Sequence, residues 1–171
     1  MTRYIAFLRG VNVGGVNLKM AEVAKAMEAA GFTEVRTILA SGNILLDSTS
    51  GANKVRSTAE RALRDTFGYE AWVLVYDLAT LQTISEGYPF EREVADHHSY
   101  VTFVSDAELL DELAALSPGE GEKVQRGDGV LYWQVPRATT LDSAIGKTMG
   151  KKRYKSSTTT RNLRTLDKVL R

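Results

Sequence analysis

Residues 35–46 are VRTILASGNILL, in which two short apolar runs flank Ala40-Ser41-Gly42-Asn43. Runs of β-branched and aliphatic residues on either side of a glycine–asparagine pair are typical of a β-hairpin. We therefore predict strands over residues 35–39 and 44–46, with the turn at Gly42-Asn43. Because this hairpin lies between two helical patterns, it decides the order of the elements around it.

Four further elements surround the hairpin. Residues 4–8 (YIAFL) and 69–76 (YEAWVLVY) are short runs rich in strand-forming residues. Apolar residues at helical spacing predict one helix that ends near Gly31 and another that ends near Gly68. The resulting order, β-α-β-β-α-β, is the split βαβ pattern of ferredoxin-like domains.

The same order of elements begins again after residue 77. A strand at 100–104, a helix opened by Ser105 and Glu108, and a hairpin at 123–135 follow one another. We then predict a further helix around residues 141–149 and a closing strand over residues 154–158. The sequence thus predicts an α+β protein built as a tandem duplication of ferredoxin-like β-α-β-β-α-β halves, with an extra C-terminal helix. The predicted boundaries are 1–76 for the first half, 77–98 for a connecting helix and loop, and 99–171 for the second half with that helix. A single mixed sheet of eight strands is the competing arrangement.

The composition is that of an ordinary soluble domain. The chain has 171 residues, of which 43% are hydrophobic and 25% charged, and it contains no cysteine. The lack of cysteine excludes disulfides, thiol nucleophiles and cysteine-based metal sites, and it fits a reducing compartment. Neither a signal peptide nor an apolar run long enough to span a bilayer is present, so we expect a cytoplasmic protein with no membrane partner.

The net charge of +1 conceals an uneven distribution. Residues 147–171 hold nine Lys and Arg against the single Asp167, whereas residues 1–146 hold 13 basic and 20 acidic side chains. A basic segment on an acidic body fits either weak, phosphate-mediated binding of nucleic acid or docking of the segment on its own body. Exposed aromatics on a sheet would favour RNA binding, but we expect the strand aromatics to be core: Phe7, Tyr76, Phe103, Tyr132 and Trp133.

Three motifs occur along the chain: RGVNVGG at residues 9–15, SGN at 41–43 and TTRN at 159–162. Together they make the chain resemble the bacterial family DUF1697, whose members carry RG(I/V)NVGG near the start, QSGN in the middle and TTRNW near the end. The resemblance covers essentially the whole chain. It implies a fold of ferredoxin-like α/β character and no established activity. The chain differs from the family pattern at Ala40, where Gln is usual, and at Leu163, where Trp is usual.

The first two motifs are predicted to meet at one end of the first sheet, since the loop after the first strand and the hairpin turn both lie there. Glycines before a helix expose backbone N–H groups to an anion, and an arginine adds a guanidinium fork. We predict here a site for an anionic or nucleotide-type small ligand, formed by Arg9, Gly10, Asn12, Gly14, Gly15, Ser41 and Asn43. A structural interpretation competes with it, in which the glycines permit a tight crossing and the asparagines turn the chain. Arg161 and Asn162 form a second candidate cluster.

Other arrangements do not support a specific chemistry. Gly146-Lys147-Thr148 lacks the first glycine of a P-loop, because position 141 is Leu141. His97 and His98 are adjacent and no third histidine exists, so neither a metal nor another cofactor is predicted. The predicted function is a cytoplasmic binding protein for the anionic ligand. The alternatives are an enzyme that uses the same Arg, Asn and Ser residues, with catalytic residues unidentified, and weak nucleic-acid binding by the basic C-terminal segment. The oligomeric state is not predicted.

Overall fold

The computed structural model describes residues 1–9, 11, 16–92, 94–137, 148, 151, 154 and 156–171. Within these residues the fold is mixed α+β, with two four-stranded antiparallel sheets and five helices. Two separate sheets replace the single eight-stranded sheet that the sequence left open. The chain divides into a first unit, Met1–Leu81 with Lys168–Arg171, and a second unit, Gln82–Asp167.

The first sheet has the strand order β2-β3-β1-β4. All neighbouring strands in it run antiparallel, and its hairpin β2–β3 is the one predicted from residues 35–46. The elements of this part of the chain are β1 (Thr2–Leu8), α1 (Met20–Ala29), β2 (Thr33–Ile38), β3 (Asn43–Ser48), α2 (Ala52–Phe67), β4 (Val73–Asp77) and α3 (Leu78–Glu86).

Alternation along β1 directs one set of side chains towards α1 and α2. Tyr4, Ala6 and Leu8 belong to the same buried cluster as Val23 and Leu63 from the two helices. Apolar side chains recur at every second residue on the strand and at every third or fourth residue on the helices. This spacing allows the helices to pack against one face of the sheet. The helix α2 ends where Gly68 takes a left-handed φ of 66° and donates its N–H to the Arg64 carbonyl, a common way to stop a helix.

The second sheet has the strand order β6-β7-β5-β8 and is also antiparallel throughout. The helix α4 packs on its β5–β7 part through Leu109, Leu110 and Leu113, which share a buried cluster with Trp133. The elements of this part of the chain are β5 (His97–Val104), α4 (Ala107–Ala114), β6 (Lys123–Arg126), β7 (Val130–Pro136), β8 (Thr158–Asn162) and α5 (Leu163–Leu170).

A chain of side-chain hydrogen bonds crosses three strands of the second sheet. The Trp133 indole Nε1 on β7 donates to the Thr102 hydroxyl on β5 at 2.9 Å. That hydroxyl lies 2.8 Å from the Thr160 hydroxyl on β8. Since a buried donor without a partner is costly, these threonines satisfy the indole and join the three strands.

Three local predictions need correction. The hairpin turn occupies residues 39–42 and not Gly42-Asn43, because Asn43 already pairs with Ile38 and with Phe7 as the first residue of β3. The N-cap of α4 is Asp106, whose carboxylate accepts two backbone N–H groups, and not the preceding serine. The closing strand was predicted over residues 154–158 but spans Thr158–Asn162. The helix predicted around residues 141–149 lies, apart from residue 148, outside the described residues.

Among the described residues, no helix combines the length and the apolar character that crossing a membrane requires.

Candidate functional site

Arg9 lies directly after β1, at the end of the first sheet. Its backbone N–H donates to the Trp72 carbonyl at 3.1 Å, which fixes the start of the loop beside the residue that precedes β4. The side chain is half-buried, and burial lowers the pKa of Arg9. A guanidinium that has lost part of its hydration gains from an anionic neighbour, because the anion offsets the cost of desolvation.

The hairpin turn at residues 39–42 packs against this end of β1. The Gly42 carbonyl accepts the Leu8 N–H at 2.9 Å. A Cβ at Gly42 would lie 2.7 Å from Leu8 Cβ and 2.8 Å from Val11 Cγ2, and φ at Gly42 is +88°. Both the close approach and the backbone conformation therefore require glycine. Since Leu8 and Val11 flank residues 9 and 10, the turn contacts the chain on both sides of them.

Asn43 holds the turn from within. Its side chain is fully buried, and its amide nitrogen donates to the Ile38 carbonyl at 2.8 Å and to the Ser41 hydroxyl at 2.9 Å. A four-residue turn closed in this way keeps Ser41 in a defined position. The structure thus gives Asn43 a supporting role behind Ser41, while direct contact of either residue with a ligand stays a prediction.

The glycine-rich part of the predicted site lies mostly outside the described residues. This holds for Gly10, Asn12, Gly14 and Gly15. On either side of that segment, Val11 and Val16 form an isolated parallel bridge, so the chain enters and leaves residues 12–15 at neighbouring positions. Val11 is fully buried in the core of the first unit. Arg9, Ser41 and Asn43 thus lie at the same end of the sheet, and their role as one site stays a prediction.

The second candidate cluster belongs to the second unit. Arg161 is buried on β8, where its guanidinium donates to the Thr159 hydroxyl at 2.8 Å and to the Thr160 carbonyl at 2.9 Å. Asn162 ends the strand and accepts the Arg164 N–H at 2.9 Å through Oδ1, in the manner of a helix cap for α5. These contacts explain much of the TTRN motif by strand packing and helix capping. They also remove Arg161 from any exposed basic surface.

A cleft of about 280 Å³ lies at the end of the second sheet. His97 and His98 line this cleft, whereas from the sequence they are candidates only as metal ligands. Within the part of the chain that the structure describes, no group of three or more metal-ligating side chains comes together. The cleft is instead basic, since its lining consists of Arg92, Val94, Ala95, His97, His98, Ser99, Arg137, Asn162, Leu163 and Arg164. These residues come together only in the folded protein, and no local sequence motif predicts the cleft.

Comparison with known proteins settles the family. The family model described as "Protein of unknown function (DUF1697)" matches residues 1–132. The chain belongs to the DUF1697 family. Its fold is similar to that of the conserved bacterial protein SP0830 from Streptococcus pneumoniae, with a TM-score of 0.82 and 22% sequence identity over 99% of this chain and 96% of that one. This likeness concerns the fold alone. No curated protein matches the chain.

The two positions at which this DUF1697 chain differs from the family pattern have different surroundings. Ala40 is exposed in the hairpin turn, so its side chain leaves the packing of Gly42 untouched. Leu163 is buried at the start of α5 and lines the basic cleft.

The five strand aromatics that the sequence assigned to the core form no exposed stacking surface among the described residues of this DUF1697 protein. Trp133 and Tyr132 are both buried although they lie on opposite faces of β7, and Phe7 and Phe103 are fully buried. Tyr76 is half-buried and contacts the Phe7 ring. Base stacking on these five residues is therefore not available to a single-stranded RNA. Four of the nine basic residues in segment 147–171 lie outside the described residues, namely Lys147, Lys152, Arg153 and Lys155, and binding of the segment to nucleic acid stays a prediction.

Proposed function

We propose that this DUF1697 chain is a cytoplasmic binding protein for an anionic or nucleotide-type small molecule, held at the end of β1 by Arg9. The observation that carries the proposal is the packing of the hairpin turn on Leu8 and Val11, which brings Ser41 to the chain segment that contains Arg9. Cytoplasmic location is part of the proposal because a chain without cysteine suits a reducing compartment.

The chemistry of the proposed site is recognition of an oxyanion. A guanidinium presents two parallel N–H donors to a phosphate or carboxylate, and the hydroxyl of Ser41 supplies a neutral polar group. The backbone N–H groups of the glycine-rich segment Gly10–Gly15 complete the predicted donor set. Partial burial of Arg9 strengthens its interaction with an anion, since the local dielectric is lower than in water.

The proposal extends to the fold. We infer that the two units are tandem copies of one ferredoxin-like β-α-β-β-α-β pattern. In support, the first sheet has the order β2-β3-β1-β4 and the second the order β6-β7-β5-β8, so each strand of one sheet has a counterpart at the same position in the other. Both orders match the split βαβ pattern, in which the third strand lies between the first and second.

Substitution of Arg9 by Gln tests the binding function. The variant removes the charge and the fork of donors while keeping a polar side chain of similar reach. We expect wild-type protein to gain thermal stability with sulfate or a nucleotide, because a ligand that binds only the folded state raises the midpoint. The variant should fold normally and lose that gain. Arg61→Gln, on the exposed face of α2, removes one charge elsewhere and serves as the matched control.

Two results would contradict the proposal. If Arg9→Gln retains the full ligand-induced gain, Arg9 does not bind the anion. If Arg9→Gln unfolds the protein while Arg61→Gln does not, the motif is structural and the site is to be abandoned.

A further inference from the structure

The basic cleft in the second unit is formed where three elements end or begin. His97 opens β5 and pairs with Pro136 at the end of β7, and Tyr100 pairs with Asn162 at the end of β8. The helix α5 starts at the next residue, Leu163. The cleft therefore lies at one end of the second sheet and does not involve the residues proposed to bind a ligand in the first unit.

Two arginines of the cleft have guanidinium groups that bond to no residue in the described ranges. Arg137 follows β7 and Arg164 lies in the first turn of α5, and both side chains are exposed. To the described part of the chain, neither guanidinium donates a hydrogen bond or forms an ion pair. Both act on His98, whose pKa is lowered by burial and further by these two positive charges. His98, Arg137 and Arg164 line the same cleft, so the two positive charges lie near one imidazole.

A third arginine, Arg92, also lines the cleft, but its guanidinium group is engaged in other contacts. Arg92 donates to the Ser85 carbonyl at 2.8 Å and forms an ion pair with Asp167 at 3.0 Å. Asp167 is thereby engaged with Arg92, and no carboxylate occurs among the described residues that line the cleft. Like charges gathered in one cleft repel one another, and a bound anion offsets that repulsion.

Hydrogen-bond donors suited to an oxyanion surround the same space. The Asn162 Oδ1 atom accepts the Arg164 N–H, so the remaining polar group of its side chain is the amide NH₂, a pure donor. The first turn of α5 lines the cleft through Leu163 and Arg164 and places the positive end of the helix dipole there. Guanidinium and amide donors beside a helix N-terminus are groups that proteins use to bind phosphate.

We propose that this cleft is a second, independent binding site, which takes the phosphate group of a small molecule. The guanidinium groups of Arg137 and Arg164 match the charge of a phosphomonoester, which is close to −2 at neutral pH. The cleft of about 280 Å³ is at the lower end of the size of small-molecule sites. It accommodates a compact phosphorylated metabolite, whose uncharged part lies against Val94 and Leu163.

Phosphate titration of a double variant tests the proposal. Arg137→Gln/Arg164→Gln removes both of these guanidinium groups and should not lower the melting temperature, since neither group bonds to a described residue. Binding of inorganic phosphate is measured by calorimetry and by the NMR signals of the His98 ring. In wild-type protein we expect the His98 signals to move with phosphate concentration until the site is saturated. In the double variant we expect the phosphate Kd to rise roughly tenfold or more, because at least one charge-assisted hydrogen bond is lost.

The control is the double variant Arg36→Gln/Arg61→Gln. It lowers the net charge by the same amount through two exposed arginines of the first unit, and its phosphate Kd should stay within about twofold of wild type, since distant surface charges are screened. Repeating the titration in the Arg9→Gln background separates this site from the one proposed at β1. The proposal requires the His98 response to persist there.

Three outcomes would overturn the proposal. The first is a His98 signal that does not move with phosphate. The second is a Kd for the Arg137 and Arg164 double variant equal to that of the control. The third is tighter binding of a short single-stranded DNA oligonucleotide than of phosphate, through the same two arginines and with a steep salt dependence, which would assign the cleft to a nucleic-acid backbone.

Discussion

Replacement of Gly42 by Ala should destabilise the first unit through two separate effects. The new Cβ would lie 2.7 Å from Leu8 Cβ and 2.8 Å from Val11 Cγ2, and both of those residues are buried core. Overpacking of this kind costs about 1–3 kcal/mol. The φ of +88° adds about 1–2 kcal/mol for any residue that has a Cβ. The free energy of unfolding should therefore fall by about 2–5 kcal/mol.

Urea denaturation followed by far-UV circular dichroism measures this loss. For a chain of this length, each kcal/mol lowers the melting temperature by about 2–4 °C, so a fall of roughly 4–20 °C is expected. Gly31→Ala is the matched control, because Gly31 also has a positive φ, of +103°, but a Cβ there would meet nothing within 4 Å. That variant should lose only the backbone share, about 1–2 kcal/mol. If the two variants lose the same free energy within about 0.5 kcal/mol, the turn does not pack on β1 as described.

Three further predictions concern buried or partly buried polar groups. Asn43→Ala should lower the free energy of unfolding by about 1–3 kcal/mol, because the Ile38 carbonyl loses its donor inside the core; a variant with an unchanged urea midpoint would contradict this. Thr102→Val should cost a similar amount, about 1–3 kcal/mol, since the Trp133 indole N–H loses its acceptor, and equal urea midpoints for variant and wild type would show that the bond contributes nothing. Burial and two arginine neighbours lower the pKa of His98 in the folded state. As the pH decreases below about 6.5, the unfolded chain therefore takes up the proton first, and the free energy of unfolding falls. His98→Gln should weaken that loss between neutral and mildly acidic pH, and an identical pH profile of the urea midpoint would refute the assignment.

The sequence predicts the first unit well because its signals are local. The hairpin and the helices on either side of it follow from alternation, helical spacing and glycine at helix ends, and each of these patterns is complete within about 15 residues. The turn was misplaced by a short distance for a specific reason. The Gly42-Asn43 pair resembles the centre of a two-residue turn, whereas the Asn43 side chain closes a four-residue turn from inside the core. Turn propensities carry no information about hydrogen bonds that a buried side-chain amide makes within the folded core.

The basic cleft was beyond the reach of sequence reasoning. Its arginines at positions 92, 137 and 164 are far apart along the chain, and only the pairing of β5 with β7 and β8 brings them to one end of a sheet. The end of β1 is different, because one topological rule, that of the split βαβ pattern, already predicts that the hairpin turn lies beside the first loop. A binding role for that end of the sheet stays a prediction. The residues of the TTRN motif illustrate the opposite case. From residue type alone, the TTRN motif could serve either in binding or in the structure. Its contacts within β8 and at the start of α5 account for it by strand packing and helix capping.

The hydrogen-bonded Trp133 has an optical consequence. The chain contains two tryptophans, and each unit holds one of them: Trp72 in the first and Trp133 in the second. Trp133 is buried, whereas Trp72 is half-buried under the Arg64 guanidinium at 4.8 Å. Their fluorescence should differ accordingly, with shorter-wavelength emission from the dry indole. A Trp72→Phe protein then reports on the second sheet alone and a Trp133→Phe protein on the first, so that coincident fluorescence curves indicate one cooperative transition and separated curves indicate two.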